Sequence, residues 1–317
     1  VWSLVGLTLT QNLTFTILLW YRSAWKPGYI LSISSIKELF GFGSRILGIS
    51  LLDNVFLNIN KLVIGKYFLA SDLGFYTRAY NYRDLVSKNV LMVINSIVFP
   101  SFALFQDNLK KIKENYVRVS ELAIFLTIPL LAALAFAAEP LIRFLITEKW
   151  LDAVPYLQVL TIAGIFYPLS GIQVGILKAI GKANMYFWMI LAHKIFIVLS
   201  IVVAIRWGVM GLVFAQVFNM FFVYILGVAA MKKHLQTSIA KDLFMLLNYA
   251  AIGLFVFFIA YSTAHYFFTK DLFVILCIGV IGFSLYYGAT SIMKLQGLKE
   301  FNQILNTHFF TKLKKNS

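Results

Sequence analysis

Charged residues are scarce in this chain. They make up 13% of its 317 residues, against about 25% in an average soluble domain. Acidic residues are the rarer kind, with 13 Asp and Glu against 28 Lys and Arg, which gives a net charge of +15. The single cysteine, Cys277, excludes an intrachain disulfide. Because 60% of the residues are hydrophobic, the chain has too few charges to cover a water-exposed surface, and a soluble globular domain is excluded.

The sequence also lacks the short motifs that mark common enzyme classes. It holds no Walker-type glycine loop, no H-E-x-x-H, no Cys/His cluster with metal-ligand spacing and no G-x-S-x-G. Its four histidines are widely scattered, and no stretch between apolar segments is long enough for a soluble catalytic domain. We therefore predict no catalytic residue, no metal site and no cofactor, and a protein that is not an enzyme.

Long apolar runs dominate the chain instead. A hydrocarbon core about 30 Å thick needs about 20 apolar residues of helix to cross it. Nine segments reach that length, at roughly 1–20, 42–64, 86–106, 122–146, 156–177, 184–205, 209–230, 243–264 and 272–293. One such segment is compatible with a buried core helix, but nine in succession are not. The pattern predicts an all-α polytopic membrane protein with about nine transmembrane helices.

The distribution of the basic residues predicts which way the segments run. Seventeen Lys and Arg lie in the odd-numbered loops and the C-terminal tail, and seven lie on the opposite side, six of them in the even-numbered loops and Lys88 at the start of the third segment. Basic residues are enriched in cytoplasmic loops, so the odd-numbered loops and the C-terminus are predicted to be cytoplasmic. The excess positive charge is explained by this sidedness, and we predict no nucleic-acid partner.

Two regions outside the apolar runs are predicted to be amphipathic. Residues 21–41 are expected to form a cytoplasmic loop with a short interfacial helix, since Ser35 and Glu38 have the spacing of a capping box. Residues 294–317 are expected to form a basic amphipathic cytoplasmic tail, attracted by anionic lipid or simply solvated. Proline residues at 129, 140, 155 and 168 are expected to kink or break the fourth and fifth segments.

The second segment is the most polar of the nine. It contains Arg45, Asp53, Asn58 and Lys61, and all of these except Arg45 fall on one broad side of a helix. A charged residue at mid-membrane costs about 2.5–3.5 kcal/mol on insertion scales, a cost usually offset by a cavity or a partner. The segment is therefore expected to line a hydrophilic cavity or to lie inside a bundle with Asp53 and Lys61 paired to neighbours.

Lys194 is a further charged residue within an apolar segment. It lies about ten residues into the sixth segment, too deep to reach the membrane surface easily. Two interpretations stay open. Lys194 either faces the cavity, where it meets a phosphate or an acidic sugar, or it forms a structural ion pair with Asp53 or Glu139. The candidate cavity residues are thus Arg45, Asp53, Asn58, Lys61 and Lys194.

Several short motifs share one resemblance. They are N-I-N-K-L-V-I-G-K at 58–66, L-G-F-Y-T-R-A at 73–79, F-P at 99–100, V-W-S-L-V at 1–5, A-E-P-L-I at 138–142, E-K-W at 148–150 and L-K-A-I-G-K at 177–182. Together they resemble the Wzx-like lipopolysaccharide/O-antigen flippases of the multidrug/oligosaccharidyl-lipid/polysaccharide (MOP, MATE-like) superfamily. The resemblance covers essentially the whole chain, and its motifs are structural rather than catalytic.

The resemblance implies a fold of about fourteen helices, built from two six-helix lobes and an additional pair. The chain is then an N-terminally truncated form. Its predicted parts are the last helix of the first lobe at 1–20, the loop at 21–41, the second lobe at 42–230, the additional pair at 231–293 and the tail at 294–317.

The implied activity is flipping of undecaprenyl-diphosphate-linked oligosaccharide across the bacterial inner membrane for polysaccharide export. Cationic cavity residues offset the lipid diphosphate in that family, and Arg45, Lys61 and Lys194 are the positions carried over by chemistry. The implied partners are this lipid-linked sugar, membrane lipids and other polysaccharide-assembly membrane proteins. Two alternatives remain: a cation-coupled drug exporter of the same superfamily, and a membrane oligosaccharide polymerase or glycosyltransferase.

Overall fold

A computed structural model describes residues 2–23, 33–104, 109–235 and 238–306. Within these ranges the secondary structure is helical. The helices are α1 (Trp2–Arg22), α2 (Ile33–Tyr67), α3 (Ala70–Leu104), α4 (Leu109–Phe136), α5 (Ala138–Ile146), α6 (Ala153–Ala179), α7 (Ala183–Ala204), α8 (Gly208–Leu235), α9 (Ile239–Phe267), α10 (Asp271–Ile292) and α11 (Gln296–Leu305). The predicted all-α class is confirmed.

Five stretches of the described residues are long and apolar enough to cross a membrane. They are α4, α6, the continuous run Asn184–Lys232, α9 and α10. The run Asn184–Lys232 contains both α7 and α8, which are joined by the short 3₁₀ turn Ile205–Trp207. An integral membrane protein is therefore confirmed, whereas the number of nine crossings stays a prediction.

Helix boundaries differ from the expected ones where polar residues lie inside a helix. The capping-box residues of the predicted interfacial helix lie in the first turns of α2, which runs on without a break for 35 residues. In the same way, α3 begins at Ala70 rather than near residue 86, and so takes in the charged residues assigned to a loop. Apolarity marks the membrane-buried part of a helix, and these two helices extend well beyond it.

Proline breaks one helix and not the others. Pro129 and Pro168 lie inside continuous helices, as membrane helices tolerate. By contrast, α4 ends at Phe136 and α5 begins at Ala138, two residues before Pro140. A proline ring clashes with the carbonyl four residues before it, and for Pro140 that carbonyl belongs to Phe136. The break thus falls where the chemistry of Pro140 requires it.

Contact clustering divides the chain into two compact units, residues 1–55 and 56–317. In the second unit, α6 lies at the centre and packs against α3, α4 and α8. The helix pair α9–α10 packs against α4, and α7 packs against α8. The lobe boundaries expected from the family resemblance stay a prediction.

Two glycines of α6 let α3 approach closely. A Cβ atom at Gly164 would lie 2.7 Å from Oγ of Ser87, and one at Gly171 would lie 2.6 Å from Leu91. Gly175 has no atom within 4 Å of such a Cβ. The close helix contact is thus made by Gly164 and Gly171, two turns apart, and not by the G-x-x-x-G pair at 171–175.

The first half of the tail packs on the protein. In α11, Leu298 is buried, and the ring of Phe301 lies 5.6 Å from that of Phe125 in α4. The backbone N–H of Gly297 donates to the Tyr249 hydroxyl of α9 at 3.1 Å. The apolar face of α11 therefore contacts helices α4 and α9, whereas residues 307–317 lie outside the described part of the chain.

An ion cluster joins α5 to α10. One guanidinium nitrogen of Arg143 lies 2.6 Å from Glu139, and another lies 3.2 Å from Asp271. These two hydrogen bonds raise the pKa of Arg143 above its ordinary value, the one to Glu139 contributing most. Asp271 belongs to α10, so Arg143 joins α5 to α10.

Candidate substrate-binding site

A hydrogen-bonded triangle links three helices at the polar end of α2. The side-chain amide of Asn60 and the hydroxyl of Tyr76 both donate to Oε1 of Gln216, at 2.5 and 2.9 Å. All three residues are buried. Because a buried amide or hydroxyl costs free energy unless it is hydrogen-bonded, this triangle fixes α2, α3 and α8 against one another.

One turn further along α3, the ring of Tyr80 contacts two cations. The guanidinium carbon of Arg83 lies 4.6 Å from the centroid of Tyr80, and Nζ of Lys61 lies 4.9 Å from the same centroid. Both distances fall within the range of about 6 Å for cation–π attraction. The Tyr80 ring thus holds two positive charges close together without a carboxylate between them and the ring.

Arg83 is the most deeply buried charged residue of α3, with 1% of its surface exposed. One terminal nitrogen lies 3.2 Å from the Asp84 carboxylate, which Lys88 also approaches at 2.6 Å. Among the residues that the structure describes, no hydrogen-bond acceptor meets Nε or Nη2 of Arg83. A guanidinium has five donors and is rarely buried with several of them unpaired. Two nitrogens of the Arg83 guanidinium are therefore buried without a hydrogen-bond partner among the described residues.

The sequence of α6 makes room for this arrangement. A Cβ atom at Gly164 would lie 3.0 Å from Cδ of Arg83 and 2.9 Å from Leu131. The carbonyl of the same glycine accepts a hydrogen bond from Ser87 at 3.1 Å. Helix α6 thus lies against α3 at the level of Arg83, and a glycine is required there because any side chain would displace the arginine.

The cationic network comprises Lys61, Tyr80, Arg83, Asp84 and Lys88. Three of its members carry positive charge and one carries negative charge, so its formal charge is positive. It lies on α2 and α3 beside the central helix α6. An arrangement of this kind attracts an anionic group such as a phosphate, which arginine binds through two parallel hydrogen bonds.

The five predicted cavity residues have different environments. Arg45 lies in α2, but its side chain is outside the described residues, and Asp53 is exposed in the same helix. Both belong to the first unit. Asn58 is partly exposed on α2, and Lys61 joins the network through Tyr80. Nζ of Lys194 lies 5.1 Å from the ring centroid of Phe56, which places this lysine of α7 beside α2. A direct role for any of the five stays a prediction.

Sequence analysis missed Arg83, Tyr80 and Asp84, because the third apolar segment was expected to begin at residue 86. A signal was nevertheless present. Asp84 and Lys88 have the four-residue spacing at which opposite charges meet on one helix face, and Arg83 adjoins this pair. Tyr76 and Tyr80 also recur at the four-residue spacing of a helix face. Extending the helix through this charged stretch would have placed all of them in α3.

Two of the family-like motifs contact each other at the start of α3. The ring of Phe75 packs edge-on against Trp150 at 5.7 Å, and the Arg78 guanidinium lies 5.4 Å from a ring of the same tryptophan. A Cβ at Gly74 would touch Trp150 at 3.4 Å. The L-G-F-Y-T-R-A and E-K-W motifs therefore form a packing unit, which explains their structural rather than catalytic character.

Comparison with known structures identifies the fold. The chain superposes on the Lipid II flippase MurJ in its inward closed conformation with a TM-score of 0.70 and 20% sequence identity. The match covers 86% of this chain and 58% of the MurJ chain. The chain thus has the helical fold of this structure.

Sequence comparisons are consistent with that class. Residues 1–155 match a protein-family profile described as "Polysaccharide biosynthesis protein". The chain is 28% identical over 258 residues to the teichuronic acid biosynthesis protein TuaB of Bacillus subtilis, which covers 79% of this chain and 53% of TuaB. It is 24% identical over 181 residues to the lipopolysaccharide biosynthesis protein WzxC of Escherichia coli, which covers 56% of this chain and 37% of WzxC.

A third relative is the succinoglycan biosynthesis transport protein ExoT of Rhizobium meliloti, at 24% identity over 62% of this chain and 40% of ExoT. The chain spans about half the length of TuaB and a smaller share of the lengths of WzxC and ExoT. The resemblance to Wzx-like flippases is confirmed, and the chain is a relative of these polysaccharide biosynthesis and transport proteins.

Proposed function

We propose that this chain forms part of a flippase that moves lipid-linked oligosaccharide across the bacterial cytoplasmic membrane for polysaccharide export. Its relatives are named for teichuronic acid, lipopolysaccharide and succinoglycan biosynthesis, and its structural neighbour is named for flipping Lipid II. The three relatives are named for glycan biosynthesis, the name of ExoT adds transport and the name of MurJ adds flipping, so together they support movement of a lipid-linked glycan. The proposed substrate is an undecaprenyl-diphosphate-linked oligosaccharide.

The observation that carries this proposal is the buried cationic network. Arg83 is fully enclosed, keeps unpaired donors among the described residues and lies on the same tyrosine ring as Lys61. Holding such a charge in a membrane protein costs several kcal/mol unless an anion or a polar cavity offsets it. A diphosphate is the charged part of the proposed substrate, and it supplies the acceptors that the Arg83 guanidinium needs.

In the proposed mechanism no covalent bond is made or broken, so the protein is not an enzyme. The diphosphate and sugar pass through a polar cavity while the polyprenyl chain stays in lipid, and the two lobes alternate between inward-open and outward-open states. Lys61 and Arg83 lower the free energy of the diphosphate in the low-dielectric interior. Lys194 and Asn58 are proposed to line the same path, and roles for Arg45 and Asp53 stay predictions.

The proposed setting is the inner membrane, with the C-terminus in the cytoplasm and with other polysaccharide-assembly membrane proteins supplying or receiving the lipid-linked sugar. Support comes from the excess of basic residues in the odd-numbered loops and the tail. The proposed division into the end of one lobe, a second six-helix lobe and an additional helix pair rests on the family resemblance.

The proposal is tested by reconstituting the full-length protein in vesicles with a fluorescent polyprenyl-diphosphate oligosaccharide and measuring its transfer between leaflets. Replacing Arg83 by Gln is expected to lower the initial rate about 10- to 100-fold, because a charge-assisted hydrogen bond contributes about 1.5–3 kcal/mol. Arg83→Lys should retain more activity than Arg83→Gln, since the positive charge remains.

The matched control is Arg78→Gln, which removes an arginine from the same helix. Arg78 is exposed and contacts Trp150 rather than the network. Its variant is expected to flip substrate at nearly the wild-type rate. If Arg83→Gln folds with unchanged thermal stability and also flips at the wild-type rate, the network does not bind the diphosphate and the proposal fails.

A further inference from the structure

An apolar groove lies between helices α7 and α8. Its volume is about 650 Å³, within the range of about 300–1,000 Å³ for ligand pockets. The lining residues are Phe196, Leu199, Ser200, Val203, Ala204, Trp207, Met210, Gly211, Phe214, Ala215 and Phe218. None of them belongs to the cationic network, and the groove has no part in the proposed flipping path.

Both ends of the groove are built by specific contacts. At one end, the carbonyl of Ala204 leaves no space for a Cβ at Gly211, so the two helices meet at the 3₁₀ turn. At the other end, the ring of Phe196 stacks on Phe222 of α8 with centroids 4.0 Å apart. The groove is thus closed at both ends by contacts between α7 and α8.

The lining is uniformly apolar where it could meet a hydrocarbon chain. Its one hydroxyl, that of Ser200, is already paired, since the amide of Asn219 donates to it at 3.0 Å. Leu199, Val203 and Phe218 are all more than half exposed. A surface of this kind is stabilised by apolar chains and offers no hydrogen bond to a polar ligand.

The length of the groove matches one leaflet of a bilayer. Phe196 and Trp207 are eleven residues apart, which corresponds to about 16 Å of helix at about 1.5 Å per residue. Half of a hydrocarbon core about 30 Å thick is about 15 Å. A polyprenyl carrier chain is far longer than a leaflet, whereas a phospholipid acyl chain spans one leaflet and fits between the two ends.

A cation lies at the headgroup end. Arg206 is exposed in the 3₁₀ turn Ile205–Trp207, beside the lining residue Trp207. Tryptophan is enriched at the membrane–water interface, where its ring lies at the level of the headgroups, and long arginine side chains near helix ends reach that interface. Arg206 is therefore available to the phosphate of a lipid lying in the groove.

We propose that the α7–α8 groove binds an anionic membrane phospholipid, with one acyl chain in the trough and its phosphate on Arg206. This site is separate from the flipping path, and it would hold whether or not the proposed function is correct. Bound lipid of this kind covers a concave surface that bulk lipid would solvate poorly, and it supports the tight α7–α8 hairpin.

Native mass spectrometry of the purified full-length protein tests the site, with phosphatidylglycerol and phosphatidylcholine of identical acyl chains added at equal concentration. The wild-type protein is expected to retain one phosphatidylglycerol in preference to phosphatidylcholine. Val203→Trp places a bulky ring in the trough and should lower retention at least about tenfold, because each buried methylene contributes about 0.8 kcal/mol. Arg206→Gln should reduce phosphatidylglycerol retention to the phosphatidylcholine level.

Two matched controls accompany these variants. Val202→Trp makes the same change one residue away, at a position that is 61% exposed against 55% for Val203 and does not line the groove. Lys270→Gln removes an exposed charge from the turn between α9 and α10. Both controls should retain phosphatidylglycerol like the wild-type protein.

The proposal is overturned if Val202→Trp and Val203→Trp behave alike, or if Arg206→Gln has no effect. It is also overturned if polyprenyl phosphate displaces phosphatidylglycerol at equal concentration, or if the groove is covered by a second protein copy in a dimer.

Discussion

At the scale of single residues, Tyr80 decides whether Lys61 and Arg83 act together. The centroid of its ring lies within 5 Å of both cations. Attraction of each cation to this one ring offsets the repulsion between the two cations. Cation–π attraction reaches about 2 kcal/mol when the groups are desolvated. No carboxylate could replace the ring without neutralising the charge that the anion needs.

We predict that Tyr80→Leu lowers the flipping rate strongly, whereas Tyr80→Phe keeps most of it, because phenylalanine retains the ring and loses only the hydroxyl. The rates are measured with the fluorescent substrate in vesicles, and folding is checked by the melting temperature in detergent. Equal rates for the two variants would show that the ring does not organise the cations.

The sequence predicted half of this network. Lys61 was recognisable because it is a charge within an otherwise apolar segment, and the polar side of α2 predicted its importance. Arg83 was not recognised, because the helix limits were predicted from apolar residues and the charged stretch before residue 86 was assigned to a loop. That Lys61 and Arg83 meet at Tyr80 depends on the packing of α2 on α3, which no property of either segment alone specifies.

At the scale of elements, glycine spacing in α6 controls the position of α3. The limits of two apolar helices were predicted to within one residue: α7 and α10 cover 183–204 and 271–292, where 184–205 and 272–293 were expected. Others differ more, since α8 and α9 cover 208–235 and 239–267, where 209–230 and 243–264 were expected. Which helices touch was not predictable, because a G-x-x-x-G pattern marks small residues without naming the face they share. Gly164, outside that pattern, makes the contact at Arg83.

We predict that Gly164→Ala lowers stability by about 1–3 kcal/mol, the usual cost of forcing an extra group into a packed contact. It should also reduce flipping, since the methyl group displaces Arg83. Gly175→Ala is the matched control on the same helix, where a Cβ has open space. That variant should be neutral or slightly stabilising because alanine favours helix. Denaturation in detergent measures both, and equal stabilities would contradict the close contact of α6 with α3.

At the scale of the whole molecule, the family resemblance carried more information than composition did. Composition alone indicated a membrane protein, and only the motifs indicated a flippase fold. Several of these motifs pack together, as L-G-F-Y-T-R-A does with E-K-W around Trp150, so they encode contacts between distant parts of the chain. The orientation in the membrane rests on charge alone, and it can be tested directly.

We predict that green fluorescent protein fused after Ser317 fluoresces, because the C-terminus is expected in the cytoplasm, and that alkaline phosphatase fused there is inactive. The same two reporters fused in the turn at Lys270 should give the opposite result, since this turn follows an even-numbered segment. Identical results at the two positions would mean that α10 does not cross the membrane, and a reversed pair would invert the proposed orientation.

The hydrogen bond from Ser87 to the carbonyl of Gly164 joins residues 77 positions apart, and this separation affects how the protein is made. A ribosome adds about 5–20 residues per second, so α6 leaves it about 4–15 seconds after α3. During that interval α3 carries its arginine without the helix that later encloses it. Asp84 and Lys88 belong to α3 itself, so the carboxylate that pairs with Arg83 does not depend on the later synthesis of α6.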